Sequence, residues 1–169
     1  MDARDLLRAQ FAWIHQLLAG TMSDCSQETA DHRGEGWAIS PISAIYAHIA
    51  ITQDGIVHGL VQGRPTLLES DGWDGKLGLE AAGPRDASSW ADERFDLATV
   101  RDYAAAVQAA TDAFLSEAPD DLLEKAMETP MGEQRAIDML ANVGVAHVAS
   151  HWGEIAALRG VQGEKGLPF

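Results

Sequence analysis

Basic residues are scarce in this chain. Twelve lysines and arginines stand against 26 aspartates and glutamates, a formal net charge of −14. A field of that sign repels phosphate backbones and anionic membrane surfaces. No local basic cluster offsets it, so neither a nucleic-acid nor a membrane partner is expected. Cysteine is scarcer still: Cys25 stands alone, which excludes an internal disulfide and suits a reducing cytoplasm. No run of about 18 apolar residues is present, so no membrane-spanning helix is expected. The opening "MDARDLLRAQ" is charged where a secretory leader would be apolar. No Gly-rich phosphate loop follows a strand-like segment, and no Ser/His/Asp set is visible. What the chain does have is 46% apolar residues over 169 positions. That is too apolar for disorder and long enough for one domain, residues 1–169, with a sizeable core.

Helical periodicity organises those apolar residues into four segments. The first, residues 3–18, places Leu7, Phe11, Ile14 and Leu18 on one face, with Gly20 as a stop signal. The second opens with Ser40 as N-cap and Pro41 as first helical residue. It carries Ile42, Ile45, Ile49, Ile56 and Leu60, and Gly63 ends it. The third, residues 97–115, lines up Val100, Tyr103, Val107 and Phe114 before Pro119. The fourth begins after "ETPMGE" and runs to Gly160, with Ile137, Leu140, Gly144, His147, His151, Ile155 and Leu158 on its stripe. The link over residues 64–96 is long and rich in Gly, Asp and Ser. A long crossover lets two successive helices run parallel. The expected fold is therefore all-α: a four-helix bundle, up-down-down-up, with the crossover between helices two and three covering part of one bundle end.

Two histidines interrupt the apolar face of the fourth helix. His147 and His151 are four residues apart, which puts their rings on one side of a helix. Two half-exposed histidines on a polar edge would give the same pattern. The second helix, however, carries His48 inside its own apolar stripe. Buried imidazoles need partners for their ring nitrogens, and three converging rings satisfy one another poorly. One divalent ion resolves this by taking a lone pair from each. Three protein ligands leave open positions, the arrangement of a catalytic rather than a closed structural site.

The spacing His-x-x-x-His resembles the zinc-protease motif, but that motif needs Glu directly after the first His, and Val148 stands there. Peptidase chemistry is thus not expected. Glu154, seven residues past His147, shares the face and is a candidate fourth ligand or the holder of a metal-bound water, the alternative being a solvated residue near the helix end. His15 is read as a satisfied edge residue, His58 as exposed and His32 as solvated. Cys25 has no Lys, Arg or His beside it to depress its pKa and is read as a bystander. Trp37, Trp73, Trp90 and Trp152 are read as packing residues, with Trp152 beside His151 as a candidate pocket wall.

The stretches "YAHIAITQDGIVHGLVQGRP", "DGWDGKLGL" and "AHVASHWGEIAAL" resemble the DinB/YfiT-like superfamily of bacterial metalloproteins over nearly the full length. The last stretch is the most specific. Many members read His-x-x-x-His, then a basic or aromatic residue, Gly, Gln and an aliphatic. Here Glu154 replaces the usual Gln. The resemblance implies a bundle, often homodimeric, with zinc or nickel on His48, His147 and His151. It also implies chemistry on low-molecular-weight thiols such as mycothiol, bacillithiol or glutathione.

The expected activity is a metal-dependent S-transferase, in which the metal deprotonates a cofactor thiol that then attacks an electrophilic small molecule. The alternatives are a metal-dependent hydrolase using water, or a non-catalytic metal- or ligand-binding bundle. The small-residue run "YAAAVQAA" leaves room for close helix contact, consistent with an expected homodimer.

Overall fold

A computed structural model describes residues 2–79, 93–129 and 132–169. Four long helical runs dominate it. Helix α1 is Ala3–Met22, opened by the Asp2 carboxylate accepting from the Asp5 amide at 2.8 Å. A short α2, Gln27–Asp31, follows. Helix α3, Ile42–Asp54, passes without a break into a π-helical segment, Gly55–Val61. Two single-turn helices, α4 (Leu67–Ser70) and α5 (Trp73–Lys76), lie in the described part of the crossover. Helix α6, Leu97–Glu117, is capped by Asp96 on the Thr99 amide. After α7, Asp120–Leu123, and two short strands comes the fourth run. It consists of α8 (Ala136–Met139), a π-helical segment (Leu140–Val145) and α9 (Ala146–Val161).

Side-chain contacts fix the relative directions. Arg8 pairs with Asp112 and Arg4 reaches the Ala118 carbonyl, while Arg101 reaches the Met22 carbonyl at the other end, so α1 and α6 are antiparallel. Tyr103 and Thr111 bond Asp54 and Gln53, and the Phe95 amide meets Ser43; α3 and α6 run parallel. His48 meets His147, while Ala44 and Ile45, a turn earlier on α3, share a cleft with His151 and Glu154. Helices α3 and α9 therefore run antiparallel. One core cluster gathers Leu18, Ile42, Ile49, Tyr103, Val107, Val148 and Ile155. A second, at the opposite end, gathers Leu7, Phe11, Val57, Leu115 and Leu140. No helix among the described residues is long and apolar enough to cross a membrane.

Several local readings need correction. Helix α1 does not stop at Gly20 but continues to Met22, and Pro168 of the C-terminal tail packs over the position a Cβ at Gly20 would take. The N-cap of α3 is Pro41, not Ser40, and no side chain caps it. The π-helical segment turns more slowly per residue than an α-helix. It therefore rotates the residues after Gly55 away from their α-helical phase. Leu60, expected on the apolar stripe, is 37% exposed, whereas His58, expected to be exposed, is buried. Gly63, with φ of +64°, sits where a left-handed residue ends the run.

The strands are β1, Ala126–Thr129, and β2, Gly132–Arg135. They form an antiparallel ribbon in the register Ala126↔Arg135 to Thr129↔Gly132. The ribbon interrupts the all-α plan without adding a layer, since Met127 is its one buried residue. In the crossover, Leu77 is buried and Leu67 and Leu68 pack on the core, so its apolar residues do cover one bundle end. Trp90 lies outside the described residues.

Gly144 marks the closest approach of the fourth run to α1. A Cβ there would sit 2.6 Å from the Phe11 ring, itself only 2% exposed. Gly144→Ala is therefore expected to destabilise the fold by about 1–3 kcal/mol, despite the better helix propensity of alanine. A urea midpoint unchanged or raised would contradict this packing.

Candidate metal centre

Three histidines from two helices converge on one point. His48 comes from α3; His147 and His151 come from successive turns of α9. One ring nitrogen of each lies within 4.8 Å of the others. The Nε2 atoms of His48 and His147 are 3.0 Å apart, and the ring centroids are separated by 4.4–5.0 Å. The rings stand nearly perpendicular to one another, the orientation of donors aimed at a common centre rather than a stack. Imidazole nitrogens about 2.0–2.1 Å from a tetrahedral zinc lie about 3.3–3.4 Å apart. The cluster thus fits a divalent ion with small adjustments.

Neighbouring side chains fix the rings. Glu154 Oε2 lies 2.5 Å from His151 Nδ1, leaving Nε2 for the centre. The Thr52 hydroxyl, one turn after His48, lies 3.4 Å from His48 Nδ1. For His147, Nδ1 is buried with no hydrogen-bond partner. Glu154 thereby holds the His151 ring from one side of the cluster.

A cleft of ≈ 240 Å³ opens onto the cluster, lined by His48, His151 and Glu154 together with Ile39, Ser40, Ala44 and Ile45. The Trp152 indole does not line it. Its Nε1 donates to Thr21 at 2.8 Å, so the ring packs against α1. His15 does not reach the cluster either; it is buried against Gln53 at 2.9 Å. His32 is exposed and meets the edge of Trp37. Cys25 is buried, and burial pushes its thiol up.

Sequence reasoning missed Thr52 and the loop residues Ile39 and Ser40. Thr52 carries a legible signal, four residues after His48, whereas the loop residues carry none. It also missed a second His–carboxylate contact, with the carboxylate four residues before the ring. His58 Nδ1 lies 2.7 Å from Oδ1 of the fully buried Asp54.

Burial holds His147 down at about 4, with the nearby His151 and His48 rings adding to the effect. Burial also lowers His48, and His151 lowers it further, against the opposing charge of Glu154. Burial lowers His15 despite its Gln53 partner. In the unfolded chain these rings titrate near their ordinary value of about 6.5. Between that pH and about 4 the unfolded state binds protons that the folded state does not, so folding stability is lost as pH falls through this window. The metal-free protein is expected to show this loss, and His147→Gln is expected to flatten it. Urea midpoints measured from pH 7 to pH 4 in chelator check this; a midpoint that rises on acidification would contradict it.

The sequence profile of the DinB superfamily matches residues 10–155. Among solved structures, the chain is similar to one described as the crystal structure of the conserved protein of locus from Enterococcus faecalis. The likeness has a TM-score of 0.76 and 17% identity, over 97% of this chain and 99% of that one. It extends to the fold. No curated protein matches the sequence.

Proposed function

Because the chain belongs to the DinB superfamily, whose members bind divalent metals, we propose that His48, His147 and His151 hold one zinc or nickel ion. We further propose that the protein transfers a low-molecular-weight thiol to an electrophilic small molecule. The observation that carries this reading is the convergence of three imidazole nitrogens beside an open cleft. Imidazole suits both ions, and three ligands leave positions for an incoming group. When bound, the ion would supply acidification of a coordinated thiol.

The chain's own residues would do the rest. Glu154 orients His151 through Nδ1 and, lining the cleft, is placed to accept the proton that the thiol releases. Ile39, Ala44 and Ile45 give the electrophile an apolar wall. The nucleophile has to come from outside, since Cys25 is buried and does not line the cleft.

The test is a turnover screen of zinc- or nickel-loaded protein with mycothiol, bacillithiol and glutathione against activated aryl halides and epoxides. Product formation is expected to require both metal and thiol and to vanish in His147→Ala. Metal-dependent hydrolysis of the same substrates with no thiol would replace the transferase reading by a hydrolase.

A further inference from the structure

A second cleft, of ≈ 480 Å³, lies between the π-helical segment after α3 and the C-terminal half of α6, and shares no lining residue with the cleft at the three histidines. His58 is ten residues beyond His48, about 15 Å along a helix axis. It stands in the wall of this cleft with its side chain 10% exposed. The carboxylate behind it is fully buried. Asp54 Oδ1 accepts a hydrogen bond from His58 Nδ1–H at 2.7 Å, and Oδ2 accepts from Tyr103 at 2.6 Å. The Leu67 and Leu68 amides bond the same carboxylate. Four donors lock Asp54, and Asp54 locks the ring. The proton is thereby fixed on Nδ1, and Nε2 is the nitrogen left for a ligand.

The surroundings define the ligand. Arg64 lines the cleft, and its guanidinium makes no ion pair among the described residues. Phe114 and Leu122 provide an apolar floor, and Glu117 places one negative charge on the wall. We propose that this cleft binds a small monocarboxylic acid with an apolar body. The carboxyl group bridges His58 Nε2 and Arg64, and the body lies on Phe114 and Leu122. The acid proton is shared with Nε2, since Nδ1 is already committed to Asp54. Glu117 and the net charge of −14 disfavour a dianion such as phosphate at a site whose one cationic side chain is Arg64. The site is independent of the metal centre.

The full-length protein, ¹⁵N-labelled at histidine, is titrated with benzoate and with hexanoate, followed through the imidazole resonances. Saturable binding is expected to move the His58 Nε2 signal and to leave those of His48, His147 and His151 in place. Arg64→Gln is expected to weaken binding roughly tenfold and Glu117→Gln to tighten it. Ala113→Trp, which fills the cleft, is expected to abolish binding with an unchanged circular dichroism spectrum. His58→Gln is also expected to lose binding; should it fail to fold, Arg64→Gln and Ala113→Trp carry the test. No saturation at tens of millimolar, shifts confined to the other three histidines, undiminished binding by Ala113→Trp, or equal binding of inorganic phosphate would each overturn the proposal. Loss of metal binding or of thiol transfer leaves these readouts unchanged.

Discussion

Replacing His147 by alanine is expected to weaken divalent-metal binding by about two to three orders of magnitude while the fold survives. Structural zinc sites with four protein ligands bind with about 10–16 kcal/mol in all. Each ligand is then worth about 3–4 kcal/mol, or roughly 10²–10³-fold in affinity. His147 would offer its Nε2 from the second residue of α9, inside a continuous helical run in which alanine is the best helix former. The one hydrogen bond lost with it is the 3.0 Å contact to His48. The truncation also removes a buried ring nitrogen that has no partner, which offsets part of the lost packing. His48→Ala and His151→Ala are expected to act with similar size. Glu154→Gln is expected to act only about tenfold, the usual cost of altering a supporting group, because a Gln carbonyl still accepts from His151 Nδ1. Calorimetric zinc titrations check the series. His147→Ala with wild-type affinity, beside a weakened Glu154→Gln, would remove His147 from the ligand set.

Asp54→Ala is expected to cost about 3–5 kcal/mol of folding stability, a fall in Tm on the order of 10 °C for a chain of this size. No other buried polar group described above holds so many partners. Its carboxylate accepts from His58, Tyr103, Leu67 and Leu68 at 2.6–3.0 Å. Burial pushes the carboxyl up, but bonds from His58, Tyr103 and the two amides outweigh it and hold the group below the usual carboxylate range. Alanine leaves four donors facing an apolar hole, three of them drawn from separate elements. Stranded buried donors cost about 1–3 kcal/mol each before relaxation. The α4 amides, on the partly exposed Leu67 and Leu68, lie near enough to the surface to recover part of this through water, which keeps the total below the simple sum. Tyr103→Phe removes only one partner and is expected to cost about 1–2 kcal/mol. Metal stoichiometry is expected to stay unchanged in both variants. A loss below about 1 kcal/mol in Asp54→Ala would show that this carboxylate does not tie the crossover to the bundle.

The bundle and its histidine cluster were legible because both rest on strong local rules. An apolar stripe at helical spacing names a buried face, and a histidine inside such a stripe is costly without a partner. His48, His147 and His151 each broke the stripe they sat in, and the structure brings the three together. His15, read as a satisfied edge residue, is buried as well, and Gln53 satisfies it. The pattern alone does not separate a ring waiting for a metal from one already paired. His58 was misjudged for a different reason. Its position was extrapolated at 100° per residue, and the π-helical segment Gly55–Val61 breaks that count. The segment carries no proline, and its two glycines, Gly55 and Gly59, mark a weak point in the helix without naming a π-helical turn. A similar segment precedes His147, and there the phase error matters less because both ligands lie beyond it within one regular helix. The β1–β2 ribbon left little trace because one buried residue, Met127, is too weak an alternation to register.

X-ray absorption at the zinc edge of reloaded, dialysed protein tests the central claim most directly. The account expects about one zinc per chain, with nitrogen scatterers at about 2.0–2.1 Å and the multiple scattering of imidazole rings, reduced in His147→Ala. A protein that retains no zinc after dialysis, or zinc held by sulfur at about 2.3 Å, would contradict it.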